Sequence, residues 1–117
     1  MSVQHEHSSE TVTQGVRVRV EPEYLPDQSD PDEGLWVHAY HVTITNAQGE
    51  EEHVRGPGVV GFQPLLEPGQ SFRYSSGCPL NTSVGSMHGE YQMITKAGAR
   101  FDALVSPFTL AEPFAFN

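Results

Sequence analysis

Apolar and polar residues alternate along most of this chain, which is the pattern of strands that bury one face. Val16, Val18 and Val20 alternate with two arginines in a strand that Glu21-Pro22 is predicted to end. The stretch from Trp36 to Thr45 also alternates and is rich in β-branched and aromatic side chains. Further strands are predicted at 50–55, 62–66, 71–75, 88–95, 100–105 and 108–110. The last two form either a pair or one edge strand kinked at Pro107, because proline cannot serve a central ladder position.

Turn-forming residues separate these stretches at intervals of about 8–12 residues, the spacing of a β-sandwich or barrel. The 11 glycines and 9 prolines favour frequent turns, and loops are predicted at 25–34 and 77–85. Residues 1–14 are polar and lack a period, so we predict a disordered tail there and a single domain over 15–117. The pattern therefore predicts an all-β fold.

Charge and cysteine content exclude several classes of function. The net charge is -9 and the six lysines and arginines are scattered, whereas a nucleic-acid surface needs clustered cations. No apolar stretch approaches the ~20 residues that span a bilayer, and the N-terminus has no secretory signal pattern. The lone Cys78 fits a reducing compartment. We expect a cytoplasmic protein that binds no nucleic acid and does not insert into membranes.

The segment from Gly56 to Gly61 matches G-x-G-x-x-G by its letters, with Gly58 as the middle glycine. A dinucleotide site also needs a helix after the glycines, to receive the pyrophosphate. Two prolines and a glycine within residues 62–69 exclude that helix. We therefore interpret the glycines as a structural loop and keep Arg55, Gly56, Gly58 and Gly61 as a weak candidate anion loop; no cofactor is predicted.

Histidines are the other candidate ligands. His38 and His41 lie three apart on one strand, so they face opposite sides and cannot chelate one ion. His38, His53 and His88 remain weak metal candidates, since no set of imidazoles converges in the sequence. Cys78 has no evident base, and no carboxylate pair lies in apolar surroundings. The chain is therefore predicted not to be an enzyme.

Several blocks of the sequence resemble the ApaG (CorD) family. They run in order through most of 15–117 and include YLPDQSDP at 24–31, AYHVTITN at 39–46, VRGPGVVGFQPLL at 54–66, YSSGCPL at 74–80 and GSMHGEYQM at 85–93. The resemblance implies an immunoglobulin- or fibronectin-III-like β-sandwich. It also implies an association with cobalt and magnesium resistance or efflux, and a role in protein–protein interaction, by analogy with related eukaryotic domains.

One departure from the family pattern follows Asn46. Family members carry about 15–20 further residues there, a hairpin's worth that includes an Arg-His-Trp run. The chain is thus expected to lack one strand, which would expose a sheet edge. Two hypotheses follow. The chain is either a module that binds an unknown protein partner through a sheet face or edge, with a homodimer across the exposed edge as one form of this, or a regulator that senses a divalent metal or a phosphorylated nucleotide.

Overall fold

Two antiparallel four-stranded sheets pack face to face. The computed structural model describes residues 7–47, 52–55, 65–95 and 97–113, with the backbone alone for 52–55. Sheet one has the strand order β1-β2-β3-β6 and sheet two the order β5-β4-β7-β8, which confirms the all-β sandwich. The strands are β1 (Ser9–Thr13), β2 (Val16–Tyr24), β3 (Trp36–Asn46), β4 (Glu52–Arg55), β5 (Leu65–Leu66), β6 (Ser71–Leu80), β7 (Val84–Thr95) and β8 (Arg100–Ala111).

The first strand begins earlier than the sequence predicted. Ser9–Thr13 pairs with β2 in antiparallel register, although the disordered tail was expected to reach residue 14. Gln14 and Gly15 join the two strands with φ of 47° and 82°, as in the two-residue turns that match the twist of a hairpin. The tail prediction was wrong for 9–13 because an edge strand with mostly polar side chains shows little apolar alternation. Residues 1–6 lie outside the described part.

Prolines and glycines end fewer strands than expected. β2 continues past Pro22. Its pairing with β1 does not extend beyond Val20, so the position of Pro22 that lacks an N–H can face the side of β2 where β1 is absent. β6 runs on through Gly77 to Leu80, so the loop expected at 77–85 was wrong except for 81–83. These residues are tolerated because β6 is an edge strand in the described structure.

β8 is one continuous strand at the edge of sheet two, which confirms the second of the two interpretations of residues 100–110. Its pairing with β7 shifts register between Met87 and Gly89, where Met87 lies opposite Phe108 and Gly89 opposite Val105. β8 therefore places two residues against one at Pro107, and this bulge accommodates the proline.

The core lies between the sheets and is built from the alternate positions that the pattern marked. Burial of such apolar surface is the main favourable term in folding. Within it, the Asn46 amide is fully buried and donates to the Leu66 carbonyl across 3.0 Å, which ties β3 to β5. The buried apolar residues are Val16, Val18, Val20, Val42, Ile44, Leu66, Tyr91, Met93, Ala103, Phe108 and Leu110.

Candidate functional site

The residues predicted as ligands do not come together in the described structure. Gly56, Gly58 and Gly61 lie outside the described residues, and Arg55 is described only as the backbone at the end of β4, opposite Gln92. The candidate anion loop therefore stays a prediction.

The three candidate histidines occupy separate places. His38 is buried on β3, His53 is described only by its backbone on β4, and His88 is exposed on β7. Burial lowers the pKa of His38, and its Nε2 has no hydrogen-bond partner in the described part of the chain. Across residues 7–47, 65–95 and 97–113, no three His, Cys, Asp or Glu side chains are grouped as a metal would need.

Neither Cys78 nor the acidic residues of the loop at 25–34 form a catalytic or metal-binding group within the described structure. Cys78 is half-buried opposite His38 on β6, and burial raises the pKa of its thiol, which opposes thiolate formation. Asp27 lies in a short 3₁₀ turn at Pro26–Gln28 and Asp32 and Glu33 in another at Pro31–Glu33, with Asp30 between them; no residue of either turn is buried.

One side of the sandwich is closed by polar contacts between edge strands. The Thr11 hydroxyl on β1 donates to the Ser106 hydroxyl on β8 across 2.6 Å, and the Ser106 amide donates to Thr11 Oγ1 across 3.1 Å. The Leu104 amide donates to Thr13 Oγ1 across 3.2 Å. These contacts satisfy backbone donors of β8 that face away from β7. The β1–β8 side therefore offers few free donors to another chain.

On the opposite side of the sandwich, the described structure pairs β6 with β3 along one edge and with no strand along the other. We call this unpaired side of β6 the open edge. Its inward-facing side chains are only half-buried, whereas alternate positions of β3 are buried. β4 pairs with β7 only over residues 92–95. An edge with unpaired backbone groups next to partly covered apolar side chains is a template for strand addition.

A cavity of about 140 Å³ lies beside this open edge, between the sheets. Its wall is mainly aromatic and aliphatic. Tyr74 and Tyr91 meet there: their rings stand edge-on at 6.3 Å and their hydroxyls are hydrogen-bonded. Burial raises the pKa of both hydroxyls, so they remain neutral donors and acceptors at ordinary pH. Other lining residues include Tyr40, Met87, Val105 and Phe108.

The outer face of sheet one carries ordered rows of polar side chains. Arg19, Thr43 and Arg73 lie side by side on β2, β3 and β6, and Glu21, His41 and Ser75 form the next row. Sequence reasoning treated the arginines as scattered and missed this arrangement. The sequence does show that the polar residues of each alternating strand share one face. Only the pairing register of β2, β3 and β6 shows which of these polar residues lie side by side.

His41 is the most connected residue of this outer face. Its Nε2 lies 2.9 Å from Glu23 Oε1 and its Nδ1 lies 2.6 Å from the Ser75 hydroxyl. A carboxylate can only accept, so Nε2 carries the proton and, in the neutral ring, Ser75 donates to Nδ1. All three side chains are at least partly exposed on an open sheet face. We interpret the trio as a surface hydrogen-bond network.

Comparisons with known proteins identify the family. The family model of the ApaG domain matches residues 41–95. The chain is 48% identical to the protein ApaG of Brucella anthropi, over 87% of this chain and 92% of that protein, and 46% identical to the protein ApaG of Pseudomonas entomophila, over 87% and 94%. This chain belongs to the ApaG family.

Solved structures agree with the ApaG assignment. The crystal structure of the putative ApaA protein from Bordetella pertussis superposes with a TM-score of 0.74 at 35% identity, over 92% of this chain and 97% of that one. A second X-ray structure, at 31% identity, gives a TM-score of 0.77 over 88% and 91%. The fold predicted from the ApaG resemblance is therefore confirmed.

The predicted deletion has a counterpart in the ApaG alignments. The alignment with the Brucella anthropi protein spans 119 positions, whereas 87% of 117 residues is about 102. About 17 aligned positions of that relative thus have no residue here, in agreement with the 15–20 residues that the ApaG resemblance implies.

Within the described residues, no helix is long and apolar enough to cross a membrane.

Proposed function

We propose that this chain is a cytoplasmic, non-enzymatic binding domain that recruits a partner protein by adding an extended segment of it to β6. The observation that supports the proposal is the asymmetry of the sandwich. β1 and β8 close one side through Thr11 and Ser106, whereas β6 borders the aromatic cavity on the other. Strand addition gains affinity from main-chain hydrogen bonds and specificity from alternate side-chain pockets.

The partner segment presents apolar side chains on one face. Every second residue of an added strand points to the same side as Phe72 and Tyr74, which are half-buried and packed against the core. Apolar residues at those positions would extend the core across the open side. Affinity then depends on both the strand edge and the Tyr74–Tyr91 cavity.

In-cell photo-crosslinking tests the proposal directly. A photoreactive amino acid at Ser71, exposed on β6, is expected to capture a partner, while the same probe at Val12, exposed on the closed side, is not. A charged side chain that points inward from an edge strand opposes strand addition. Ser76→Lys, whose side chain points inward from β6, should abolish capture, and Asn81→Lys in the following turn should not. Equal capture from Val12 and Ser71 would reject the proposal.

Pairing of two copies across the same edge is a second form of this proposal. It rests on the exposure of β6 in the described structure. Sedimentation velocity at high protein concentration is expected to show a dimer that Ser76→Lys dissociates. A clean monomer at every concentration would exclude the homodimer and leave recruitment of another protein.

The biological setting of this recruitment is cobalt and magnesium resistance or efflux, as the ApaG resemblance implies. A strain that lacks the protein should grow less well in excess cobalt. The unaltered chain should restore growth, and Ser76→Lys should fail to restore it while Asn81→Lys succeeds. Restoration by Ser76→Lys would separate the cobalt phenotype from the β6 edge.

A further inference from the structure

Charge is ordered along the outer face of sheet one, next to the open edge. The rows toward Ser71 contain Arg17 and Arg19, and the rows toward Gly77 contain Glu21 and Glu23. The face therefore changes from basic to acidic along β6. Any strand that pairs with β6 lays its outward side chains beside this gradient.

Arg73 is the cation that such a strand would meet first. It is exposed on β6 itself, and in the described part of the chain it forms no ion pair. The other arginines of this face differ, since Arg17 and Arg19 both lie within 4.0 Å of Glu10. Among the described residues, Arg73 is thus the arginine of this face without a carboxylate partner, and a guanidinium can bind a carboxylate through two hydrogen bonds.

The residue directly across an antiparallel pair lies about 4.5–5.5 Å away at Cβ, and an opposite charge there is favourable. We infer that the segment bound at β6 is an acidic one, with a glutamate or aspartate facing Arg73 between apolar residues that face the cavity beside Tyr74. This inference rests on the proposed function and specifies its partner.

The charges of β6 also favour a different chain over a second copy. Residues 71–80 contain Arg73 and no carboxylate, so a second β6 would bring no acidic residue to the first. The net charge of -9 opposes an acidic segment only at long range. At physiological ionic strength, charges are screened beyond about 8 Å. The direct contact with Arg73 therefore affects binding of an acidic segment more than the distant negative charges do.

Three capped synthetic peptides provide the test. Each has valine at every second position, and glutamate, lysine or threonine between the valines. At physiological salt we expect the glutamate peptide to bind about threefold to tenfold more tightly than the lysine peptide. Arg73→Glu should reverse that order, and Arg100→Glu, a matched reversal on an exposed residue of β8, should leave it unchanged.

The outcomes separate the two proposals. If all three peptides bind equally and Ser76→Lys abolishes binding of each, the edge binds strands and the acidic preference is wrong. If the glutamate preference persists in Arg73→Glu, Arg73 is not its cause and the inference fails. If no peptide binds, or Ser76→Lys has no effect, strand addition at β6 itself is wrong.

Discussion

The hydroxyls of Tyr74 and Tyr91 are hydrogen-bonded to each other across the space between the two sheets. Tyr74 lies on β6 of sheet one and Tyr91 on β7 of sheet two. Both rings line the cavity beside the open edge. The pair thus links the sheets on the side that lacks the Thr11–Ser106 contact.

Removal of either hydroxyl should leave the other without its partner. Tyr74→Phe or Tyr91→Phe is expected to lower the free energy of unfolding by about 1 kcal/mol, the usual net value of one hydrogen bond. The double variant should lose less than the sum of the two, because it leaves no orphaned hydroxyl. Urea denaturation measures this. Tyr24→Phe, a tyrosine outside the cavity, is the control; strictly additive losses would show that the hydroxyls act independently.

Two of the four tyrosines of the chain, Tyr74 and Tyr91, should resist ionisation in alkali. Burial raises the pKa of Tyr74 and Tyr91 above the ordinary value of 10.0. A raised folded-state pKa gives stability that is present below pH 10 and is lost as the pH rises further. We expect the hydroxyls of Tyr74 and Tyr91 to ionise only as the protein unfolds, so the tyrosinate absorbance that the double variant Tyr74→Phe/Tyr91→Phe lacks should appear together with the unfolding transition. Ionisation of either hydroxyl before unfolding would contradict this.

His38 should destabilise the fold in acid. Burial lowers its folded-state pKa below the ordinary value of 6.5, so the unfolded chain binds a proton more readily. Stability is therefore full above about pH 6.5 and falls as the pH drops below it. His38→Leu, which removes the titrating ring, should flatten this part of the profile. Between pH 8 and pH 5, the unfolding free energy of His38→Leu should fall less than that of the unaltered chain. An equal fall in the two proteins would contradict this.

Two leucines on β8 provide a matched test of the core. Leu110 is fully buried and Leu104 is 51% exposed. Leu110→Ala should cost about 2–5 kcal/mol, since it removes packed methyl groups and leaves a void. Leu104→Ala should change stability by about 0.5 kcal/mol or less. Comparable losses in thermal or urea unfolding would mean that the core is placed incorrectly.

Much of the fold was predictable because period-two alternation directly reflects burial. The valines of β2 and the buried positions of β3 were marked correctly, and one of the two interpretations of residues 100–110, a single edge strand kinked at Pro107, is confirmed. β1 was missed because an edge strand of polar residues has little to bury. The extensions of β2 and β6 were missed because proline and glycine are harmful only where a ladder partner is needed.

The candidate site was much less predictable. The glycine loop and the histidines were singled out by residue type, and of the described side chains among them His38 is buried and His88 is exposed. The Tyr74–Tyr91 contact joins strands on different sheets, and no local pattern encodes such a pairing. The Arg19–Thr43–Arg73 row likewise needs the register of three strands.

By itself, the sequence determined the class of fold, the buried faces of the main strands, the family and the shortening relative to it. These properties depend on local alternation and on residue identity, which a linear pattern carries. Tertiary structure alone decided that β6 lies at an edge, that β1 and β8 close one side of the sandwich, and that Arg73 lies on the other side. These depend on how distant strands pair, because the free energy of an edge or a charge is set by neighbours far away in the chain.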